Sequence, residues 1–263
     1  MVREIHPRPM KKLIPVLAFF VFSLSTLASS RPSSYTDLLD YVQPAPDQGE
    51  TATCLFQAST GAIELLANRK HNIKNPVYNG PFDLSESFTI NAPEHTSAYG
   101  KEFLEYPVHR FNYGFGVHNS EWPFDAWTAT RYVNDAVWFW KDSKDMKKVE
   151  VPAVETIRLY SYKLHSTYVL DQEDIELIKE QMWKYKTPIL VNYVDDYFWH
   201  AVLIVGYDDN LPGECYAPVE EKECAKNKGS FYVRDSFGVP VEIRDTDWFR
   251  IQGNAAFVVK EKN

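Results

Sequence analysis

The sequence contains few cysteines, no excess of positive charge, no internal repeat and no low-complexity tract. Its 28 lysines and arginines are outnumbered by 36 aspartates and glutamates, which gives a net charge of −8. So acidic a chain repels a phosphate backbone, and no basic patch is interleaved with aromatic residues. The sequence therefore argues against a nucleic-acid partner. The 263 residues, 44% of them hydrophobic, suffice for one large domain or for two lobes around a cleft.

Long apolar runs are also absent, with one exception near the N-terminus. The run Leu13–Leu27 follows two lysines and ends among small residues, so that a cut after Ala28 has small residues at the positions that signal peptidase reads. We therefore expect residues 1–28 to be a signal peptide and the mature chain to be secreted or periplasmic, without a stable membrane anchor. A single transmembrane anchor is the alternative, but the run is short for a bilayer span. Without residues 1–28 the chain has 24 basic and 35 acidic residues, a net charge of −11.

The three cysteines are Cys54, Cys215 and Cys224. In an oxidising compartment, Cys215 and Cys224 can form a disulfide within the polar loop 208–228. A zinc site on the same pair would need further ligands, and no histidine lies in that loop, so the disulfide is preferred. Cys54 then remains as the odd thiol.

Cys54 lies where a polar, glycine-containing loop from Gln48 meets a helical pattern. Four apolar residues recur at three- and four-residue steps and predict one buried helical face: Leu55, Ala58, Ala62 and Leu66. Thr51 or Thr53 is positioned to cap the first turn. The helix dipole favours the nucleophilic thiolate at such a position. Taken alone, however, a cysteine more often packs as a small buried hydrophobe.

Helical patterns precede strand patterns along the chain. The segment 29–47 is rich in proline and serine and is expected to run extended over the surface. A later amphipathic helix is expected from Asp171 to before Pro188. Four β-rich segments follow: Ile189–Val194, Ala201–Tyr207, Ser230–Arg234 and Phe257–Val259. This order predicts an α+β protein with two segregated lobes.

Two polar residues adjoin these predicted strands. His200 begins one strand and Asp235 ends another. Considered singly, each has a simpler interpretation: a histidine satisfied in the core or at the surface, and a turn aspartate bonded to its own backbone. Thiolate catalysis, however, requires a nucleophile, a base and a group that orients the base, brought together from distant elements. Cys54, His200 and Asp235 would supply these three roles.

Further stretches between residues 42 and 238 carry motifs in a fixed order. They are 42–49, which ends in Asp-Gln-Gly; 61–64, in the predicted helix; 84–86, Leu-Ser-Glu; 116–124; 200–207, the histidine strand; and 232–238, Tyr-Val-Arg-Asp-Ser-Phe-Gly. Gln48 precedes Cys54 by six residues. With these motifs in both halves, the chain resembles the papain-like cysteine peptidases.

The resemblance implies a papain-like two-lobe fold with the active site in the cleft between the lobes. The helical lobe would span about 48–150 and an antiparallel β-barrel-like lobe about 151–263. Cys54 would attack the scissile carbonyl, and His200 would protonate the leaving amine. Gln48 and the Cys54 backbone N–H would bind the oxyanion. Asp235 would orient His200, and Phe237 would shield their hydrogen bond from water. A peptide or protein would occupy the cleft, no cofactor or metal is implied, and we expect a monomer.

The sequence departs from the family pattern mainly in residues around the active site, and less in the catalytic residues themselves. Asp235 stands where the family has asparagine, and a carboxylate favours the imidazolium more strongly. Thr51 and Leu55 replace a disulfide cysteine and a tryptophan. The usual Cys-x-Gly-Gly substrate segment is missing, with Tyr99-Gly100 as its nearest counterpart. A cut near Ala28 leaves about nineteen residues before Gln48, so no inhibitory prodomain is expected.

These departures leave two alternatives to a peptidase. The first is a catalytically inactive binding protein on the same scaffold, which the altered substrate segment and the missing prodomain would fit. The second is a thiol hydrolase or acyltransferase that acts on non-peptide amides. The joint presence of nucleophile, base and oxyanion donor favours the peptidase.

Overall fold

The computed structural model describes residues 31–51, 53–90, 106–124, 145–161, 172–195, 198–212, 229–239, 241–246 and 253–263. The expected signal peptide, the expected disulfide of Cys215 and Cys224, and the segment Tyr99-Gly100 lie outside these residues. Among the described helices, none is both long enough and apolar enough to cross a bilayer.

Helices predominate in the first half of the described chain. They are α1 (Cys54–Lys70), α2 (Glu86–Ile90) and α3 (Tyr106–His109), preceded by a 3₁₀ turn at Leu39–Tyr41. The helix expected after Gln48 is confirmed, but it is buried on every side from Cys54 to Asn68 rather than along one face. A helix surrounded by protein lies in the centre of a domain, not on its surface.

Strands predominate in the second half and are joined by one long helix. The elements are β1 (Ser34–Tyr35), β2 (Phe115–Val117), β3 (Lys148–Glu150), β4 (Val154–Ser161), α4 (Gln172–Tyr185), β5 (Ile189–Asp195), β6 (Phe198–Asp208), β7 (Ser230–Arg234), β8 (Glu242–Asp245) and β9 (Gly253–Glu261). All four predicted strands are present, and three of them are longer than expected. The amphipathic pattern of α4 predicts an apolar stripe of Ile175, Ile178, Met182 and Tyr185; the first three are buried and Tyr185 is half-buried.

Seven of these strands form one antiparallel sheet in the order β4-β9-β5-β6-β7-β8, with β1 paired to β6. β5 and β6 form a hairpin whose pairing runs from Asp195–Phe198 to Ile189–Ile204. β2 and β3 pair separately. The α+β architecture is confirmed, but over the described strands the large sheet is open, with β4 and β8 at its two ends, rather than closed as a barrel.

The composition of the segment before α1 predicted that it would run over the surface. The structure shows otherwise. Tyr35, Leu38 and Ala45 are buried and β1 pairs with the end of β6, so the segment contributes to the core. α1 packs on β5 and β6, whose residues from Ala201 to Val205 are buried. This packing brings the start of α1 beside His200 and the end of β7.

Candidate active site

Cys54 is the first residue of α1 and is not part of a disulfide. The preceding loop is fixed by threonine hydroxyls rather than by a disulfide. Thr51 Oγ1 donates to the Gln48 carbonyl at 2.7 Å and lies 2.7 Å from Thr53 Oγ1. Thr53 is the N-cap residue but makes no side-chain cap bond, so the prediction of a threonine cap is wrong. The two hydroxyls bond to each other and to the loop instead of to the helix.

Gln48 is buried and held at both ends of its amide. Its Oε1 accepts from Ser236 Oγ at 2.6 Å, and its Nε2 donates to the Thr51 carbonyl at 2.9 Å. Its backbone N–H donates to the Ser236 carbonyl at 2.8 Å. An amide nitrogen has two hydrogens, and the bond to Thr51 uses one of them. These contacts tie the loop before α1 to the segment after β7.

His200 is the third residue of β6, not the first as the sequence predicted, because the hairpin with β5 extends the strand back to Phe198. Its Nε2 lies 2.7 Å from Asp235 Oδ1, and the ring is also hydrogen-bonded to Cys54. The Phe237 ring stacks on the imidazole, with centroids 5.4 Å apart and planes 15° apart. Cys54, His200 and Asp235 are therefore in direct contact in one chain of hydrogen bonds.

Asp235 follows β7 and is buried, with donors on both of its oxygens. Oδ1 accepts from His200 and from the Ser236 backbone N–H at 2.7 Å, and Oδ2 accepts from Arg244 Nη2. Arg244, on β8, was not singled out from the sequence. The alternation of Glu242 and Arg244 with apolar Ile243 would place the charged residues on the exposed face of the strand. In the structure Arg244 is buried and Ile243 is exposed, so this pattern did not point to the contact.

Cys54, His200, Asp235 and Arg244 form the active-site cluster, and the charges of His200 and Asp235 stabilise each other. Burial opposes the imidazolium of His200, but the hydrogen bonds and charges of Asp235 and Cys54 outweigh it and raise the pKa of His200 to about 9. Burial likewise opposes the Asp235 carboxylate, but the contacts with His200, Arg244 and the Ser236 N–H lower the pKa of Asp235 to about 2. At neutral pH the pair is therefore an imidazolium and a carboxylate.

A second buried polar cluster lies where Arg234, the last residue of β7, reaches α1. Arg234 donates from Nε to the Gln43 carbonyl at 2.8 Å, from Nη1 to the Gln57 carbonyl at 3.0 Å, and from Nη2 to Glu64 Oε2 at 3.3 Å. Gln43 Nε2 bonds to Asp83 Oδ1 at 2.8 Å. Sequence reasoning noted Glu64 as a motif residue but did not anticipate this cluster.

Three acidic side chains share that second cluster: Glu64, Asp83 and Glu86. Burial raises the pKa of Glu64 well above its usual range, although Arg234 opposes the shift. Burial raises the pKa of Glu86 to about 7, and the charge of Asp83 adds to the effect.

Over the described part of the chain, no three His, Cys, Asp or Glu side chains converge in a way that could hold a metal ion.

Comparison with known proteins gives a fold but no close relative. No family model matches the sequence, and no curated protein sequence is detectably similar to it. Among solved structures, bromelain from Ananas comosus in complex with an inhibitor matches with a TM-score of 0.54 at 12% identity, over 88% of this chain and 100% of that one. The chain has a papain-like fold.

Two bacterial structures support the same papain-like fold. Xylellain, a cysteine protease from Xylella fastidiosa, matches with a TM-score of 0.54 at 15% identity over 88% of this chain and 87% of that one. The cysteine protease and lectin-like domains of Cwp84, a surface-layer-associated protein of Clostridium difficile, match with a TM-score of 0.56 at 14% identity. That match covers 89% of this chain and 53% of the other. At such identities the likeness concerns the fold and not the activity.

Proposed function

We propose that this chain is a cysteine peptidase, secreted or otherwise located outside the cytoplasm, that cleaves peptide bonds through a thioester on Cys54. The observation that carries the proposal is the chain of contacts from Asp235 through His200 to Cys54, with 2.7 Å between Asp235 Oδ1 and His200 Nε2. A nucleophile, a base and an orienting group in contact are the arrangement that thiol catalysis requires.

The chemistry follows from the charges of these groups. His200 carries a proton at neutral pH and favours the thiolate of Cys54, whose sulfur attacks the scissile carbonyl carbon. The resulting oxyanion would be bound by the Cys54 backbone N–H and by the second hydrogen of Gln48 Nε2. His200 then donates its proton to the leaving amine, and the C–N bond breaks to give a thioester.

Deacylation reverses the role of the imidazole. Neutral His200 takes a proton from water as the water oxygen attacks the thioester carbonyl. The C–S bond breaks, a carboxylic acid leaves, and the thiolate–imidazolium pair is restored. Each step conserves atoms and charge without a metal or cofactor.

The nucleophile is tested with an epoxide or iodoacetamide probe on the purified chain across pH, combined with peptide hydrolysis. We expect Cys54 to react at least tenfold faster than an ordinary thiol near neutral pH, and Cys54→Ala to abolish both labelling at this position and hydrolysis. The proposal fails if Cys54 reacts like an ordinary thiol and Cys54→Ala hydrolyses peptides as well as the wild type. Labelling without hydrolysis of any peptide would favour a binding protein or an enzyme acting on other amides.

The oxyanion donor is tested separately with Gln48→Ala. Loss of one oxyanion donor costs on the order of 100- to 1,000-fold in kcat. We expect this loss in hydrolysis, with the alkylation rate of Cys54 by iodoacetamide nearly unchanged, because alkylation forms no oxyanion. Gln172→Ala, an exposed glutamine at the start of α4, is the control.

A further inference from the structure

Asp235 differs from a neutral orienting group in having a second charged oxygen to satisfy. Oδ1 already accepts from His200 Nε2 and the Ser236 N–H, each at 2.7 Å. Oδ2 accepts from Arg244 Nη2, and the Asp235 side chain has no exposed surface. A buried carboxylate with an unsatisfied oxygen would be strongly unfavourable. The contact with Arg244 therefore stabilises the buried Asp235 whether or not the chain is an enzyme.

Arg244 is also held by a second carboxylate, that of Glu242. Its Nε and Nη2 bond to Glu242 Oε2 at 2.8 and 2.5 Å, and the side chain of Arg244 is 7% exposed. Backbone pairing of β8 with β7, with Arg244 opposite Phe231, fixes the strand that carries both residues. A continuous chain of charges therefore runs from Glu242 through Arg244 and Asp235 to His200 and Cys54.

We propose that Arg244 is a positioning residue for His200: it holds the second oxygen of Asp235 and balances its charge, so that a carboxylate can orient the imidazole as a neutral amide would. The inference rests on the proposed function, because the consequence for turnover presumes a thiolate–imidazolium mechanism. Its electrostatic part concerns His200 alone and can be measured without a substrate.

The balance matters because His200 must both release and accept a proton in each cycle. Its pKa is already raised to about 9, and the full charge of Asp235 would raise it further. An imidazole that binds its proton too tightly is a poor acid toward the leaving amine. The charged groups that face His200 are Cys54 from α1 and Asp235 from the end of β7, with Arg244 and Glu242 of β8 behind Asp235.

Two variants should move the pKa of His200 in opposite directions. Arg244→Gln removes the balancing cation, so the pKa should rise by about one unit, a tenfold change in proton affinity. Glu242→Gln releases Arg244 from a competing carboxylate, so the pKa should fall. The measurement is an NMR titration of isotope-labelled histidine, assigned with a His200→Gln variant. Arg158→Gln, at an exposed position on β4, is the control.

A double-mutant cycle with Asp235→Asn separates charge balance from mere packing. When Asp235→Asn is already present there is no carboxylate to balance, so Arg244→Gln should shift the pKa of His200 much less. The pH at which peptide hydrolysis and Cys54 alkylation decline on the alkaline side should follow the pKa of His200. Arg244→Gln should therefore shift it in the wild-type background and much less in the Asp235→Asn background. Equal effects of Arg244→Gln with and without Asp235→Asn, or an unchanged pKa in the folded single variant, would overturn the proposal.

The outcome remains decisive if Arg244→Gln does not fold, because Glu242→Gln changes a partly exposed residue and carries the opposite prediction. An unchanged or raised pKa of His200 in folded Glu242→Gln would also overturn the proposal. If the titrations behave as expected but no peptide is cleaved, the proposed function fails while the charge balance stands. If peptides are cleaved but the pKa of His200 does not change in the variants, the proposed function stands and the charge balance fails.

Discussion

The last residue of β7 and the residue that follows it, Arg234 and Asp235, occupy contrasting buried environments. Asp235 is one carboxylate in contact with two cationic side chains, His200 and Arg244. Arg234 is the guanidinium shared by a second cluster, which contains the carboxyl groups of Glu64, Asp83 and Glu86. Both clusters are almost completely buried, so burial by itself does not distinguish them.

The ratio of cations to carboxylates decides which protonation state each cluster holds. With two cations, the pKa of Asp235 falls to about 2 despite burial. With one arginine shared among three acids, burial prevails and the pKa of Glu86 rises to about 7. Asp235 and His200 therefore form a fixed charge pair near neutral pH, whereas Glu86 of the second cluster takes up a proton on mild acidification.

Asp235 of the active site and Glu86 of the second cluster should contribute to the pH dependence of stability with opposite signs. The raised pKa of Glu86 stabilises the fold below pH 4.5, and that contribution is lost as pH rises through about 7. The lowered pKa of Asp235 stabilises the fold above pH 3.8, and that contribution is lost as pH falls through about 2. His200, with its raised pKa, contributes below pH 6.5 and loses the contribution as pH rises through about 9.

The largest effect is expected from removing the cation of the second cluster. Arg234→Met leaves buried acids without their ion pair, and breaking such a pair costs about 3–5 kcal/mol of unfolding free energy. Chemical denaturation at neutral pH measures this, with the exposed Arg158→Met as control. The cost should shrink at pH 5, where Glu86 is protonated. A loss below about 1 kcal/mol at neutral pH would contradict the assigned role.

A slightly smaller effect is expected where α1 passes Arg234. A Cβ at Gly61 would overlap the guanidinium of Arg234, so Gly61→Ala should destabilise the fold by about 1–3 kcal/mol through overpacking. The cycle with Arg234→Met tests the cause, because the penalty of Gly61→Ala should vanish once the guanidinium is gone. A penalty that persists when Arg234→Met is also present would assign the need for glycine to another neighbour.

The pH dependence of stability should become flatter when Glu86 is neutral at every pH. Glu86→Gln removes an acid whose ionisation is unfavourable in the fold, so the unfolding free energy at pH 7.5 should rise by roughly 1–2 kcal/mol. The decline between pH 4.5 and 7 should weaken accordingly. Denaturation across this range measures both quantities, and the exposed Glu180→Gln should change neither. An unaltered pH dependence would show that Glu86 does not set it.

The smallest effect is expected on the rate when Asp235 becomes neutral. Asp235→Asn keeps an oxygen that accepts from His200, so hydrolysis at the optimum should stay within about tenfold of the wild type. The upper limb of the pH profile should move to lower pH, because the pKa of His200 falls when its carboxylate partner is lost. Steady-state kinetics across pH measure the shift. Complete loss of activity would contradict a purely orienting role for Asp235.

The sequence predicted the elements with strong local patterns. α1 and α4 were found from their three- and four-residue periodicity, and β7 was found with correct bounds. The elements it missed or misplaced lack such patterns. β1 has only two residues and exists because the end of β6 offers it a partner. The first residues of β6 extend beyond the apolar run because they pair with β5.

For the candidate site, the sequence supplied the side chains but not their partners. Cys54, His200, Asp235 and Gln48 were chosen from motif and position. The structure joins Cys54, His200 and Asp235 by hydrogen bonds and ties Gln48 to Ser236, the neighbour of Asp235. Ser236 as the partner of Gln48 could not be read from the sequence, since this contact joins residues 188 positions apart. The threonine cap failed for a similar reason, because hydroxyl groups have several acceptors and only the folded loop selects one.

What the sequence determined by itself is therefore the set of chemical groups: an acidic chain, one thiol at a helix start, one imidazole on an apolar strand, and one carboxylate after another strand. The tertiary structure decided which charges face one another. It gave Arg234 and Asp235, adjacent in sequence, separate sets of partners, and it placed Arg244 against Asp235. Protonation in a buried site depends on neighbours within a few ångströms, and those neighbours come from distant parts of the chain.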